Sequence, residues 1–509
     1  MNRTEMLGRV REREKVWDFV VIGGGATGVG CAVDAASRGF SVLLLEQNDF
    51  GKGTSSRSTK LVHGGVRYLA QGNLSLVREA LKERAILLKN APHHVRKQSF
   101  IVPVYSFYDK FFYGAGLKLY NILSGKNGFG KSRILSKRET LGRLPNIKGE
   151  NLKGGILYFD GQFDDTRLLI NLIQTAVERG ATVLNYVKVF GFTKNLNVID
   201  GVNLENVETG ETFNVKAKAV INATGAFCDS IRRMSDENST EIIAPSQGIH
   251  LVFDKKFLPS ENALMIPKTS DGRVLFAIPF HDKILIGTTD TEIKTVELEP
   301  KALDEEIEFI LETAGDYLEN SPKREDILSV FAGIRPLVKT ENNKNTSKLS
   351  RDHTIEIDDS NLLTITGGKW TTYRRMAEDA VNQAIKLNNL SEKKCVTENL
   401  KIYDSDAIEI KKLIVEKPSL AKKLHKDLPY YKAEIIFAIR NEMAQTVEDV
   451  LARRTRALFL NAKAAIEIAP KTAEIMAEES GRNEIWIAEQ IQNFNQIAEK
   501  YSVKINRVI

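Results

Sequence analysis

An apolar strand running straight into spaced glycines constrains this chain more than any other feature. It reads Asp18-Phe-Val-Val-Ile-Gly-Gly-Gly-Ala-Thr-Gly28, with the pattern Gly23-x-Gly25-x-x-Gly28. A helix-like stretch follows, then a second apolar strand, Ser41-Val-Leu-Leu-Leu-Glu46, ending in an acid eighteen residues beyond Gly28. Strand, glycines, helix, strand and terminal acid in this register predict a dinucleotide-binding βαβ unit. Gly23 permits the tight turn, Gly25 lets backbone approach a pyrophosphate, and Gly28 lets the helix lie close to the strand. Ala26 and Thr27 open the helix, whose free N–H groups and dipole favour negative charge. Glu46 is placed to accept hydrogen bonds from ribose hydroxyls.

A chain of 509 residues that is 42% hydrophobic can build two or three cores. Cys31, Cys228 and Cys395 show neither paired nor metal-type spacing, which predicts a reducing, cytosol-facing environment without a disulfide framework. No calcium-loop motif occurs, so no metal is expected. The first sixteen residues mix acids and bases without an apolar run, and no stretch approaches the roughly 18 apolar residues of a membrane span. The expectation is a soluble or peripheral protein.

The net charge of +6 is unevenly spread. Residues 96–138 hold nine Lys/Arg against one acid, Asp109, a local charge of +8, together with nine aromatic residues. Cations interleaved with aromatics suit an anionic membrane surface. They suit equally a substrate-domain segment with aromatics in its core and lysines in water. No nucleic-acid module accompanies the patch, so no nucleic-acid partner is expected.

Helical spacing predicts an amphipathic helix over Leu74–Asn90 and another from Thr166. Strand patterns occupy Val198–Leu204, Thr212–Val215 and Lys218–Gly225, the last ending in small residues, and alternating segments from 248 to 289 suggest a β-sheet. After Asn388 glycine nearly vanishes and Ala/Glu/Ile/Lys-rich helical patterns run to the end. Between these lies Thr54-Ser-Ser-Arg-Ser-Thr-Lys-Leu-Val-His-Gly-Gly-Val-Arg-Tyr68. Its small, hydroxyl-bearing residues let backbone pass beside a flat ring while Thr54, Ser55 and Ser56 bond phosphate and ribityl groups.

Taken together, Val21–Gly28, Thr54-Ser-Ser56, Lys60-Leu-Val-His-Gly-Gly-Val-Arg-Tyr68 and Asn222-Ala-Thr-Gly225 resemble the FAD-dependent glycerol-3-phosphate dehydrogenases. So do Gly287-Thr-Thr-Asp290, Gly333-Ile-Arg-Pro-Leu337, Thr366-Gly-Gly-Lys-Trp-Thr-Thr-Tyr-Arg374 and Asp449–Arg456. The match runs in order along nearly the whole chain. The resemblance implies an α/β fold of the D-amino-acid-oxidase-like superfamily: a doubly wound FAD-binding (Rossmann-like) domain, an α+β substrate domain with an antiparallel sheet, and an all-α C-terminal cap. The boundaries expected are 1–95, 160–245 and 330–390 for the FAD domain, 96–159 and 246–329 for the substrate domain, and 391–509 for the cap.

The resemblance further implies oxidation of sn-glycerol 3-phosphate to dihydroxyacetone phosphate by hydride transfer to flavin N5. Electrons would pass to a membrane quinone, from a position peripheral on the inner face of the cytoplasmic membrane. A homodimer is compatible with it. A phosphate dianion needs cationic donors, and the matching positions are Arg67, Tyr68, His250, Arg335, Arg351 and Lys369. Taken alone, Arg351 reads better as a surface salt bridge. Arg335 would hold substrate and stabilise developing oxyanion charge, with His63 or His250 as base. Cofactor contacts are expected from the residues already named at 23–28, 46 and 54–56, and from Lys60, His63, Gly64, Gly65, Ala223, Thr224, Gly225, Gly333, Gly367, Gly368, Lys369, Trp370 and Thr371. Rival readings are a glycerol-phosphate oxidase using oxygen, an amine or amino-acid oxidase of the same fold, and a non-catalytic flavin-binding sensor.

Overall fold

The computed structural model describes residues 1–12, 14–66, 73–339 and 352–503. Two sheets organise it. In the first, the strands run in the spatial order His353–Ile357, Leu363–Gly367, Thr212–Asn222, Val16–Ile22, Val42–Leu45, Thr182–Leu184. The last five are mutually parallel. Val16–Ile22 is central and nearly devoid of polar residues because both its faces are covered. The helix Ala26–Ser37 crosses from it to Val42–Leu45, completing the expected βαβ unit. Its smallest positions admit the helix Tyr373–Leu387, and a Cβ on Gly30 would lie 3.0 Å from the Tyr373 ring.

The segments expected as separate strands at Thr212–Val215 and Lys218–Gly225 form one strand, Thr212–Asn222, which stops before the small residues 223–225. It pairs antiparallel with Val198–Asn206 over its first half and parallel with Val16–Ile22 over most of its length. The second sheet is built on long antiparallel pairs, Val95–Val104 with Gly154–Phe163 and Ile243–Asp254 with Ser329–Val338. Ser329–Val338 thus joins the second sheet, although the sequence division set residues 330–390 in the FAD domain. The short strand Leu61–Val62 also pairs there, with Gly161 and Gln162. Beyond Asn388 the described chain is helical, with long helices at Lys432–Glu442, Ala462–Ser480 and Glu484–Ala498 around a separate apolar core. The helix Leu74–Asn90 forms with the bounds its spacing predicts. Cys31, Cys228 and Cys395 are free thiols.

Candidate active site

The carboxyl ends of the parallel strands open onto a cleft of about 560 Å³, the position at which open α/β sheets bind ligands. Three glycines shape its first wall. Gly23 has φ +113° and a Cβ there would lie 2.6 Å from the Ala223 carbonyl oxygen, while a Cβ on Gly28 would lie 2.0 Å from the Gly23 oxygen. Gly25 is less crowded by protein, the nearest atom to its would-be Cβ being Ser55 Oγ at 3.1 Å, and it faces the cleft. The N-terminus of Ala26–Ser37 points at this wall, where the Ala26 N–H donates to Ser55 Oγ at 2.9 Å.

Glu46 lies beside the glycines. Its carboxylate accepts N–H bonds from Gly24 (2.8 Å) and Asn48 (2.9 Å), and burial raises its pKa against those bonds. A buried carboxylate, a glycine cradle and a helix N-terminus fit the ribose and pyrophosphate of FAD. Thr54 also lines the cleft and donates to the Ile334 carbonyl at 2.6 Å, tying this wall to the second sheet. Ala223, Thr224 and Gly225 follow the strand end at Asn222, whose amide bonds hold the turn.

At Gly367 and Gly368 the chain turns with φ of +77° and +67°. Both glycines are among the expected cofactor contacts. The chain's own atoms already require glycine here: a Cβ on Gly368 would meet Met376 Sδ at 2.5 Å, and one on Gly367 the Asp352 oxygen at 2.9 Å. Lys369 and Trp370 then line the cleft, and Trp370 Nε1 donates to the Ser55 carbonyl at 2.9 Å. Thr371 Oγ1 accepts from the His63 N–H at 3.2 Å, joining the two loops.

Cationic and imidazole groups gather where the second sheet meets the cleft. Arg335 lines it with Gly333, His63 and His250. Its Nη1 donates to Asp290 (3.2 Å) and the Gln247 carbonyl (3.3 Å), and its Nη2 to Thr288 Oγ1 (3.1 Å) and the Thr289 carbonyl (2.9 Å). His250 stacks on Phe331, its Nε2 is 2.9 Å from Thr59 Oγ1, and its buried Nδ1 has no hydrogen-bond partner among the described residues. Burial, then Lys60 and Arg335, push the imidazole well below its usual pKa.

Several expected cofactor contacts take other roles. Lys60 is buried away from the cleft, its Nζ 2.6 Å from Asp165 Oδ2 and 2.7 Å from the Ser56 carbonyl. Burial first, with Arg456 adding, lowers its pKa to about 7 despite Asp165. Ser56 is buried behind the same turn, and the Gly64 N–H donates to Tyr120 Oη at 2.9 Å. None of Gly28, Ser56, Lys60, Gly64 and Gly65 lines the cleft. Arg67, Tyr68 and Arg351 lie outside the described residues. Sequence reasoning gave no role to Thr59, Thr288 or Asp290, which hold His250 and Arg335; the quoted Gly287-Thr-Thr-Asp290 string was the one pointer to the last two. Among the described residues no cluster of His, Cys, Asp or Glu could hold a metal ion.

The family description "FAD dependent oxidoreductase" matches residues 18–373, and "C-terminal domain of alpha-glycerophosphate oxidase" matches residues 360–485. The mitochondrial glycerol-3-phosphate dehydrogenase of Rattus norvegicus is 38% identical over 94% of this chain and 72% of its own. A probable enzyme of the same name from Caenorhabditis elegans is 39% identical over the same shares. The X-ray structure of the glycerol-3-phosphate dehydrogenase from Bacillus halodurans, complexed with FAD, superposes with a TM-score of 0.78 at 29% identity, covering 100% of this chain and 99% of that one. The glycine cradle, the buried acid beside it and these matches agree: the chain is an enzyme of the FAD-dependent oxidoreductase family, grouped with the glycerol-3-phosphate dehydrogenases, and FAD is its cofactor.

Proposed function

We propose that this enzyme oxidises sn-glycerol 3-phosphate to dihydroxyacetone phosphate and hands the electrons to a membrane quinone. The observation that carries the substrate is the group of Arg335, Lys369, His250 and His63 around one cleft. Two cations and two imidazoles around one cleft suit a phosphate ester, which needs several cationic and hydrogen-bonding donors. FAD, when bound, supplies the hydride acceptor at N5. His250 is the base we assign: it lines the cleft with Nε2 beside Thr59 Oγ1, and its lowered pKa keeps it neutral near pH 7. His63 is the alternative base. Arg335, fixed by Asp290 and the Thr288–Thr289 turn, presents positive charge to the oxygen that gains electron density. In this reading the parallel sheet and its helices form the FAD domain, the second sheet the substrate domain, and residues 391–509 the cap.

The membrane partner is supported by the helix Phe107–Ser124. Phe107, Tyr108, Phe111 and Ile122 on it are each at least 74% exposed, and Phe112 and Leu119 extend the same face. Among the described residues no helix is long and apolar enough to cross a membrane. An exposed aromatic face flanked by Lys110, Lys118 and Lys126 suits lying on an anionic surface, here the inner face of the cytoplasmic membrane. The same helix carries Tyr120, whose hydroxyl accepts from the N–H of Gly64, next to His63 of the cleft lining.

The test is anaerobic bleaching of the bound flavin by sn-glycerol 3-phosphate, with glycerol and an amino acid as controls, followed by reoxidation with a short-chain quinone or with oxygen. Bleaching by the phosphate ester alone and fast reoxidation by quinone are expected. Bleaching by an amino acid alone would overturn the substrate, and faster reoxidation by oxygen would turn the enzyme into an oxidase.

A further inference from the structure

The densest set of buried charges in the described structure lies outside the cleft, at the junction of the C-terminal helical segment with the loop after Glu46. Asp49 is fully buried and takes two arginines at once. Arg453 Nε reaches its Oδ2 at 2.5 Å, and Arg454 grips both oxygens, Nη1 to Oδ2 at 2.7 Å and Nη2 to Oδ1 at 2.8 Å. The arginines are themselves oriented. Arg453 also donates to Glu448 (2.5 Å) and Asp449 (2.7 Å), and Arg454 to the Glu442 carbonyl (2.9 Å). They lie at the end of the π-helical turn Asp449–Arg454, whose wider winding aims two successive arginines at one carboxylate.

The same loop is stitched to the cleft on its other side. Glu46 bonds the Gly24 and Asn48 N–H groups, the Gly51 N–H donates to the Gly24 carbonyl at 3.1 Å, and Asn48, Gly51 and Lys52 line the cleft. Lys52 Nζ pairs with Glu448 at 2.6 Å. A third arginine treats the next loop in the same way. Arg456 Nη2 donates to the Ser56 carbonyl at 3.0 Å, behind Ser55, whose hydroxyl accepts from the helix N-terminus at Ala26.

We propose that the C-terminal helical segment is a cofactor-retention device: Arg453, Arg454 and Arg456 brace, from behind, the two loops that hold the adenosine and pyrophosphate of FAD, with Asp49 as the positioning residue. An ordinary docking contact would need no bidentate fork on a residue three positions from the ribose-binding acid. A planar guanidinium held on both oxygens fixes the carboxylate's orientation as well as its position. Loop geometry held in advance lowers the ordering cost of binding, so its loss appears first as weaker cofactor affinity.

The full-length protein with FAD tests this. Arg454→Lys keeps the charge and loses the fork, and Asp49→Asn removes the charge that both arginines grip. Arg167→Met is the comparison, because Arg167 joins the same segment through Glu442 and Asp406 without touching either loop. FAD dissociation constants, release rates from flavin fluorescence, and apoprotein thermal midpoints are measured for each. We expect Arg454→Lys to raise the FAD Kd at least tenfold while lowering the apoprotein midpoint no more than Arg167→Met does. Arg167→Met should change the Kd less than threefold. An unchanged Kd in Arg454→Lys overturns the proposal, as does an equal rise in Arg167→Met, which would mean that general docking alone matters. If Asp49→Asn fails to fold, Arg454→Lys decides. Because no readout involves glycerol 3-phosphate, this result stands or falls apart from the substrate assignment.

Discussion

Arg335 reaches the cleft with its terminal nitrogens committed to Asp290, Gln247, Thr288 and Thr289. A guanidinium held this way cannot swing to follow a ligand, so it acts as a fixed positive charge. Arg335 is partly exposed, so truncating it costs less than removing one partner of a fully buried charge pair, but it takes the charge out of the cleft. Arg335→Met should therefore lower kcat/KM for glycerol 3-phosphate well over tenfold, and Arg335→Lys should recover only part of the loss because it cannot span the same partners. Unaltered steady-state kinetics in Arg335→Met would remove this residue from the site. At this scale the sequence was legible where a role depends on neighbours in the chain. Gly23, Gly25, Ala26, Thr27 and Glu46 come together along the cleft because a βαβ turn is a local object. Lys60 was misread because its partner, Asp165, is 105 residues away and invisible to spacing. Asp49 carried no cue at all: one acid in a loop means nothing until Arg453 and Arg454, some 400 residues later, close on it.

Among the elements, the helix Phe107–Ser124 departs furthest from soluble practice. At roughly 100° per residue, Phe107, Phe111, Ile122, Ala115, Tyr108, Leu119 and Phe112 fall within an arc of roughly 140°, and all of them are exposed. The opposite face buries Gly114, Leu117 and Tyr120. The 96–138 segment divides by element. Its strand Val95–Val104 and its Tyr120 are core, while the aromatics at the start of the helix stand in solvent. Phe111→Glu combined with Ile122→Glu should abolish sedimentation with anionic lipid vesicles and leave flavin bleaching in solution within twofold of the parent. Unchanged sedimentation would show that this face does not meet the membrane. Helices with strong local periodicity, such as Leu74–Asn90, were legible to the residue, whereas Ser329–Val338 was assigned to the wrong sheet. Its string of small and apolar residues marks a buried strand but not its neighbour, and that neighbour, Ile243–Asp254, is nearly a hundred residues earlier.

For the molecule as a whole, the junction between cap and cleft carries a pH dependence. Burial alone would raise the Asp49 and Glu448 carboxyls, but Arg454 and Arg453 hold Asp49 well below the usual range, and Arg453 and Lys52 hold Glu448 down to about 2. Burial and the neighbouring Asp49 push Asp449 the other way. Unfolded carboxylates titrate near ~4, so below that the unfolded chain binds protons that folded Asp49 and Glu448 refuse. Their stabilisation is complete above pH ~4 and drains away as the pH falls through the folded values, each proton contributing ~1.4 kcal/mol per pH unit. Denaturant unfolding between pH 5 and 2.5 should give a shallower acid slope in Glu448→Gln than in the parent. Identical slopes would mean that Glu448 is not held low.

The order of strands has a last consequence, for the time during synthesis at which the cleft is complete. The central strand Val16–Ile22 lies between Val42–Leu45 and Thr212–Asn222, and the sheet continues to Leu363–Gly367. The floor of the cleft is therefore drawn from the first thirty residues, its far wall from the glycine turn at 367 and 368, and its brace from Arg453–Arg456. A ribosome adding about 5–20 residues per second exposes the glycine cradle roughly a third of a minute or more before the chain that completes it. Through that interval the nascent cradle has neither its opposite wall nor the helices behind it, so the cleft is complete only once the last third of the chain has emerged.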